Sequence, residues 1–325
     1  MFGDGADKGA VRIGFVLVPD FSMIAFAAGV EPLRLANRLN ETIIYSGVSL
    51  SIDGDDVTAS NGVSVKVDSS IADAGPLDMI MVCAGLNVRD YTKVNLLNAI
   101  RRRATHGAGV GALCTGSYIL AKAGLLDGHR CTIHWENLSS FAEDFPELDV
   151  TAELFEIDRN RLSCAGGTAA VDMMLTMIGM QRGDALAAMV ADQLIHHRIR
   201  EGSERQRMEL RSRVGVAHPK LLSVIQMMEE NLEEPLSCAE LARIVGLSAR
   251  QLERLFRKYL GKVPTRYYLD LRLKRSRFLL LQTSMPVLSV ALSCGFVSAS
   301  HFSKCYRERF QKTPSEERRI LIEAM

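Results

Sequence analysis

Residues 237–264 and 286–314 spell out one local device twice, and that repeat restricts the C-terminal third to a small set of folds. Ser237-Cys238-Ala239-Glu240 is a capping box, in which the serine accepts from the third helical amide and the glutamate reaches back to the cap. The helix it opens stops at Gly246, a residue suited to a left-handed helix end. Ser248-Ala249-Arg250-Gln251 then caps a second helix, giving helix, tight turn, capped helix: a helix-turn-helix. Roughly 50 residues on, Ala291–Gly295-Phe296 repeats Ala242–Gly246-Leu247, and Ser298 stands for Ser248. Lys312-Thr313-Pro314 closes the second unit as Lys262-Val263-Pro264 closes the first. Pro286 and Pro314 suit first helical turns. The two units are expected over residues 238–259 and 286–310.

In the second helix of the first unit, Leu252, Leu255, Phe256 and Tyr259 follow the i, i+3, i+4, i+7 rule and are expected to face the core. The opposite face presents Arg250, Gln251, Arg254, Arg257 and Lys258, interrupted only by Glu253. Arginine forks onto guanine and glutamine onto adenine, so this is a candidate major-groove face, with an ordinary solvated face as the alternative. The matching helix of the second unit places Phe302, Tyr306 and Phe310 inward and Ser300, His301, Lys304 and Arg307 outward. Between the units, Thr265–Gln282 reads as one helix of about 27 Å at 1.5 Å per residue. Major-groove faces on one side of a duplex recur every ~34 Å, so a rigid connector of this length lets both helices reach one side of DNA. Its Arg266, Arg272, Lys274, Arg275 and Arg277 are candidates for phosphates, or for pairing with Asp270.

Charge agrees with this division. From residue 219 onward the chain holds 18 of its 39 basic and 11 of its 38 acidic residues, a balance of +7 against −6 for the remainder. A basic module joined to an acidic one fits a polyanion-binding domain attached to a separate partner domain.

The runs Leu241-Ala-x-x-x-Gly246-Leu-Ser248, Arg266-Tyr-Tyr-Leu-x-x-Leu-Arg272-Leu and Gly295-Phe-x-Ser298-x-Ser-His-Phe302-Ser-Lys resemble the DNA-binding domain of the AraC/XylS family over residues 219–319. The resemblance implies promoter DNA as a partner, and commonly activation by contact with RNA polymerase.

Before residue 185 the pattern is different. Ile13–Val18, Met79–Cys83 and Val110–Cys114 are compact apolar runs bounded by Gly, Pro or Asp, as buried strands are. Ser22–Leu39, Lys93–Thr105 and Thr168–Gln181 carry helical spacing, and Asn61-Gly62 is a two-residue hairpin signal. Strands alternating with helices imply an α/β domain over residues 11–185, with a mostly parallel sheet covered on both faces. Asp184–Arg200 reads as a further long helix and Glu201–Arg213 as a charged linker, so residues 186–218 are expected to connect the domains. The seven cysteines are odd in number and none forms a C-x-x-C pair. That argues against a disulfide framework or a cysteine zinc site and for a reducing cytoplasm. No stretch approaches the ~18 apolar residues of a membrane span, and Met1–Ala10 lacks the apolar core of a secretory signal. No cofactor and no metal are expected.

Val110-Gly-Ala-Leu-Cys114-Thr-Gly116 is an apolar strand turning sharply into a helix with Cys114 at the turn, where amide dipoles favour a thiolate. His134 follows a second short apolar run. The two make a candidate catalytic pair, or equally a buried structural thiol and a hydrogen-bonded histidine. The elbow Cys114-Thr-Gly, Ala121-x-Ala-Gly-Leu-Leu-Asp-Gly128, Thr132-x-His134-Trp135 and Ala165-Gly-Gly-Thr-Ala-Ala resemble the PfpI-type, class I glutamine-amidotransferase-like domain of GlxA-like regulators, whose fold is flavodoxin-like. Enzymes of that superfamily pair an elbow cysteine with a histidine and often a carboxylate from the helix after the first strand. Here that third position falls at Ala25, so Cys114 and His134 read as vestigial and the chain as no enzyme. Glu31 is a substitute acid or a structural residue. Asp172, alone in an apolar helix, requires a partner, for which a protein donor is favoured.

Glu31-Pro-Leu-Arg-Leu-Ala-Asn37, Gly166-Gly-Thr-Ala-Ala-x-Asp-Met-Met-Leu175 and Arg250-Gln-Leu-Glu-Arg-Leu-Phe256 resemble the subset governing catabolism of arginine or of quaternary amines such as carnitine and glycine betaine. Such an effector implies aromatic faces for cation–π attraction, Trp135 first, then Phe21, Phe26 and Tyr118. Cys114, Thr115, His134, Trp135 and Glu31 are the candidate effector residues. The expectation is a dimeric, effector-responsive transcription activator; the alternative is a cysteine-dependent hydrolase or amidase fused to a DNA-binding module.

Overall fold

The computed structural model describes residues 9–283 and 285–323, and the start of the chain read above for a signal lies largely outside them. The chain divides into two compact units, residues 1–207 and 208–325.

In the first unit, β1 (Val11–Leu17), α1 (Met23–Leu39), β2 (Tyr45–Ser51), β3 (Val57–Thr58), β4 (Ser64–Val65), β5 (Ser69–Ser70), β6 (Met79–Ala84), α2 (Val94–Thr105), β7 (Gly109–Cys114) and α3 (Gly116–Lys122) come first. They are followed by β8 (Arg130–Thr132), α4 (Leu138–Asp144), β9 (Asp149–Thr151), β10 (Phe155–Asp158), β11 (Arg161–Cys164), α5 (Ala169–Arg182) and α6 (Asp184–Gln193). Seven strands form one sheet in the order β10-β11-β7-β6-β1-β2-β5, parallel throughout except for the β10–β11 edge pair. The alternation of side chains along each strand builds two cores. Phe15, Leu17, Met79, Met81 and Leu113 pack with α1, α5 and α6 on one face. Val16, Val18, Ile80, Val82 and Ala112 pack with α2 and α3 on the other. Both faces are covered, which is why these strands read as unbroken apolar runs. The architecture is the expected flavodoxin-like α/β layer fold. The hairpin signalled by Asn61-Gly62 is present as the antiparallel pair β3–β4, but its turn is longer than the expected two residues: the Ala59 amide donates to the Val63 carbonyl, leaving Ser60, Asn61 and Gly62 in the turn.

The stretch after α5 departs from the sequence reading. The helix beginning at Asp184 ends at Gln193 rather than Arg200, and Ile195 takes a left-handed conformation, φ 55°. Residues 194–207 then lie against the α/β unit instead of bridging out of it: the Leu154 amide donates to the Gly202 and Glu204 carbonyls, and Arg205 bridges to Glu153.

The second unit is helical: α7 (Leu210–Val214), α8 (Pro219–Glu230), α9 (Cys238–Ile244), α10 (Ala249–Leu260), α11 (Pro264–Gln282), α12 (Val287–Ser293), α13 (Ala299–Phe310) and α14 (Pro314–Glu323). Two small cores share α11. Tyr268 packs with α8, α9 and α10, whereas Leu273, Leu279 and Leu280 pack with α12 and α13. Among the described residues no helix is long and apolar enough to cross a membrane, and no group of three or more His, Cys, Asp or Glu is placed to hold a metal.

Candidate DNA-reading faces and the cysteine elbow

Both helix-turn-helix units are built as their caps dictate. Ser237 and Ser248 each accept from the third helical amide while Glu240 and Gln251 return the bond, and Ser298 accepts from His301. On α10, Leu252 and Phe256 are fully buried. Tyr259, expected inward, is instead 40 % exposed and lies 5.6 Å from the His218 ring, while Leu260 takes its place against the core. Leu252, Phe256 and Leu260, four residues apart, form the core-facing ridge, and Tyr259 stands at its edge. Arg250, Gln251, Arg254, Arg257 and Lys258 are exposed. Gln251 is half committed, since its Oε1 accepts from the Ser248 amide at 2.8 Å, and Arg257 pairs with Glu253 one turn back at 2.7 Å. On α13, Phe302 and Tyr306 are buried and Ser300, His301, Lys304 and Arg307 are exposed. His301 Nε2 lies 3.3 Å from Cys305 Sγ, and the Ser300 hydroxyl bonds that of Ser298 at 2.7 Å. The side chains of Arg250, Arg254, Lys304 and Arg307 make no hydrogen bond or ion pair among the described residues.

A cation from outside each unit fastens its turn, a feature that spacing alone did not reveal. Lys220 Nζ donates to the Gly246 carbonyl at 3.2 Å. Arg272 Nε and Nη2 donate to the Cys294 and Gly295 carbonyls at 2.7 and 2.6 Å, with the guanidinium 4.3 Å from the Phe296 ring centre. Gly295 has φ 72°, and a Cβ there would lie 2.6 Å from Pro235 Cγ. The second turn therefore abuts the loop between α8 and α9, which joins the two helix-turn-helix units at a fixed distance. Of the connector cations read as phosphate candidates, Arg272 is thus taken, and Arg277 is paired with Glu317 at 2.9 Å. Asp270 is held by Lys262 and, at 3.6 Å, by Arg309. Arg266 and Lys274 remain exposed.

In the α/β unit, Cys114 ends β7 with φ 60°, a left-handed conformation that costs a non-glycine residue about 1–3 kcal/mol. Gly166 is the wall facing it, where a Cβ would lie 2.6 Å from the Cys114 Cβ. Thr115, buried, donates to the Gly85 carbonyl at 2.6 Å. The elbow is intact, and its burial disfavours the thiolate that a nucleophile needs. Burial pushes the Cys114 thiol up to about 12, and neighbouring Cys164 adds to the rise. Burial also holds the His134 imidazole below its ordinary value, against the pull of Glu136. No hydrogen bond joins Cys114 to His134 among the described residues; His134 Nδ1 instead accepts from the Glu136 amide at 3.4 Å. Ala25 is 1 % exposed, in the same core cluster as Cys114. The acid at His134 is Glu136, 3.8 Å from its Nδ1, and a thiol raised this far by burial holds little thiolate at neutral pH.

The remaining candidates separate. Glu31 is on the outer side of α1, where its Oε2 accepts from Arg34 Nε and Nη2 at 2.9 and 2.6 Å, so it is no substitute acid. Trp135 is 39 % exposed, its ring 5.5 Å from that of His134, and Arg207 lies over it at 4.6 Å. Phe21 packs edge-on against Phe26 within the core. Tyr118 belongs to the other core, with its hydroxyl on Asp144 at 3.0 Å and Arg89 over the ring.

The DJ-1/PfpI family model matches residues 12–180, and a helix-turn-helix domain model matches residues 241–320. The chain is 46 % identical over 306 residues to the HTH-type transcriptional regulator GbdR of Pseudomonas aeruginosa, covering 94 % of this chain and 83 % of that one. It is 35 % identical over 320 residues to the HTH-type transcriptional regulator GlxA of Rhizobium meliloti, covering 98 % and 99 %. The crystal structure of an AraC family transcriptional regulator from Pseudomonas putida superposes with a TM-score of 0.52 at 34 % identity, over 57 % of this chain and 99 % of that one. With a DJ-1/PfpI domain ahead of two helix-turn-helix units, the chain belongs to the GlxA-like AraC-family transcriptional regulators, as a DNA-binding regulator and not an enzyme.

Proposed function

We propose that this regulator reads promoter half-sites through Arg250, Gln251, Arg254 and Arg257 of α10 and Ser300, His301, Lys304 and Arg307 of α13. One observation carries the assignment: on both helices the outward cations Arg250, Arg254, Lys304 and Arg307 have no partner within the chain among the described residues. Unpaired arginines on a capped helix behind a tight turn suit guanine edges and phosphates. A groove beside Arg254 and Gln251, walled by His218, Lys220 and Leu247, gives a phosphate backbone room to approach. Two copies paired through their α/β units in the cytoplasm would bring two basic modules to one operator and raise affinity through effective concentration. The regulator is proposed to act as an activator that contacts RNA polymerase.

The effector proposed is a small amine or amino acid bound around Cys114, Thr115, His134 and Trp135. Trp135 supports this because its face already holds one cation, the Arg207 guanidinium. A cationic effector would take the same kind of contact. The Arg34 pair removes Glu31 from the set.

Titration of the full chain onto its own promoter region tests the reading faces. Arg254→Ala and Lys304→Ala are each expected to weaken binding by about 1–3 kcal/mol or to lower the salt slope by about one. Unchanged affinity in both variants would reject the assignment. A thermal-shift series with arginine, carnitine, glycine betaine, dimethylglycine and choline tests the effector, since a ligand of the native state raises the melting temperature. A silent series would leave the α/β unit as a pairing domain alone.

A further inference from the structure

The second turn is one residue longer than the first: Gly295-Phe296-Val297-Ser298 against Gly246-Leu247-Ser248. In the first unit Leu247 stands directly before the cap and is half-buried against the core, the place from which an apolar residue staples onto the fourth helical residue, here Leu252. In the second unit Phe296 takes over that task from one position further back. It is 2 % exposed, its ring lies 5.0 Å from that of Phe302, the fourth residue of α13, and Arg272 covers it. The added residue therefore has no pocket to enter, and Val297 stands 96 % exposed at the leading end of the reading helix. Its branched side chain serves neither core nor cap.

We propose that Val297 is a specificity residue of the second unit, its two methyl groups packing on the C5-methyl of a thymine in the major groove. The inference rests on the reading above that α13 faces DNA. Residues at the N-terminal end of a reading helix approach base edges, and thymine is the one base with an apolar group in the major groove. Ser300, His301, Lys304 and Arg307, on the helix that follows, supply the polar and cationic contacts that would bring that end to the duplex. The first unit has no counterpart, so the two half-elements of the site would be read by different chemistry.

The test is a scan of the operator in which each thymine in turn is replaced by deoxyuracil, which deletes the C5-methyl and keeps the pairing. With the full-length protein, one or two positions under the second unit are expected to lose about fourfold in affinity, the equivalent of the ~0.8 kcal/mol of one buried methylene-sized group. Val297→Ala should lose a similar factor on the thymine operator and be indifferent to deoxyuracil at those same positions, with an unchanged melting temperature. Val297→Ala and deoxyuracil effects that multiply at every position would overturn the proposal. So would normal DNA affinity in Val297→Ala with transcription by RNA polymerase lost, which would make the residue a protein contact. Lys304→Ala run alongside separates the two readings. If it weakens binding while no thymine couples to Val297, only this inference fails; if it has no effect, the DNA-facing assignment of α13 fails with it.

Discussion

Arg200 encloses the carboxylate of Asp172. Its backbone amide donates to Oδ1 at 2.8 Å, and its Nε and Nη2 donate to Oδ2 at 2.9 and 2.6 Å. His196 Nε2 lies 2.7 Å from Oδ1, and Arg200 Nη2 reaches Thr168 Oγ1 at 2.8 Å. Asp172 is fully buried on α5, six residues after Gly166, the wall of the cysteine elbow. The segment that leads toward the DNA-binding unit is thereby latched to the helix behind the elbow. Asp172→Ala would strand Arg200 without its counter-charge, and breaking such a pair costs about 3–5 kcal/mol. Urea unfolding followed by Trp135 fluorescence reads this directly, because the chain has one tryptophan and it lies in the α/β unit. A loss below about 1 kcal/mol, the scale of an exposed pair, would show that the latch does not hold the segment.

The elevated Cys114 thiol makes a second expectation. With its value near 12, the thiolate fraction at pH 7 is roughly three-thousandfold below that of an ordinary cysteine near 8.5. Iodoacetamide at pH 7 should therefore modify Cys238, which is half-buried, well before Cys114, and the Cys114 rate should climb about tenfold per pH unit up to pH 9. Peptide mass spectrometry resolves the two sites. Preferential labelling of Cys114 at neutral pH would restore the nucleophile reading that the missing carboxylate at Ala25 removes.

Acid sensitivity follows from His129 and His134. Burial lowers both imidazoles, and Arg159 adds to the effect at His129 while Asp158 opposes it. In the unfolded chain each titrates near 6.5, so below that pH the unfolded state binds protons that the folded state resists. The stability they contribute is complete above about pH 6.5 and is lost as pH falls through that value toward the folded ones. Asp158, held down to about 2 chiefly by its bond with Arg159, adds a loss that sets in as pH falls through the ordinary aspartate value and is complete near 2. Thermal melts between pH 7.5 and 5.5 should show a falling midpoint that flattens in His129→Gln and His134→Gln. A wild-type midpoint constant over that window would contradict both shifts.

What the sequence made legible was what local chemistry decides. The caps Ser237, Ser248 and Ser298 announce their helices because a serine three residues before a matching amide needs no distant partner. The central strands β1, β6 and β7 were readable because burial on both faces leaves an unbroken apolar run. β2, Tyr-Ser-Gly-Val-Ser-Leu-Ser, gave no such run, since small polar residues interrupt it. Likewise no glycine or proline announces the stop of α6 at Gln193; the helix ends through a left-handed Ile195, with the His196 amide donating to the Ala191 carbonyl, and Arg200 then reaches Asp172. Outward positions on α10 and α13 were correct from periodicity, yet periodicity could not show that Gln251 shares its oxygen with a cap or that Tyr259 turns out to His218. The Glu31–Arg34 pair has an i, i+3 spacing, a local signal that the reading of Glu31 as a substitute acid left unused.

Arg272 and Arg254 look alike in the sequence, both arginines in a basic helical stretch, and the structure gives them different work. Arg254 faces outward with no partner among the described residues, whereas Arg272 is bound to two carbonyls at the turn of the second unit. Arg254→Ala should remove a charge that DNA would neutralise, lowering affinity and reducing the slope of log affinity against log salt by about one. Arg272→Ala should also lower affinity, because the turn that aims α13 loses its clamp and two carbonyls lose charge-assisted bonds of about 1.5–3 kcal/mol each in context. Its salt slope should stay at the wild-type value, since no phosphate contact is lost, and the helical unit should melt earlier. Arg272→Lys is expected to rescue little, because one ammonium cannot reproduce the two-pronged geometry or the stacking on Phe296. Affinity measured across 50–200 mM salt separates the two arginines, and a reduced slope in Arg272→Ala would return that residue to the phosphate-contacting set.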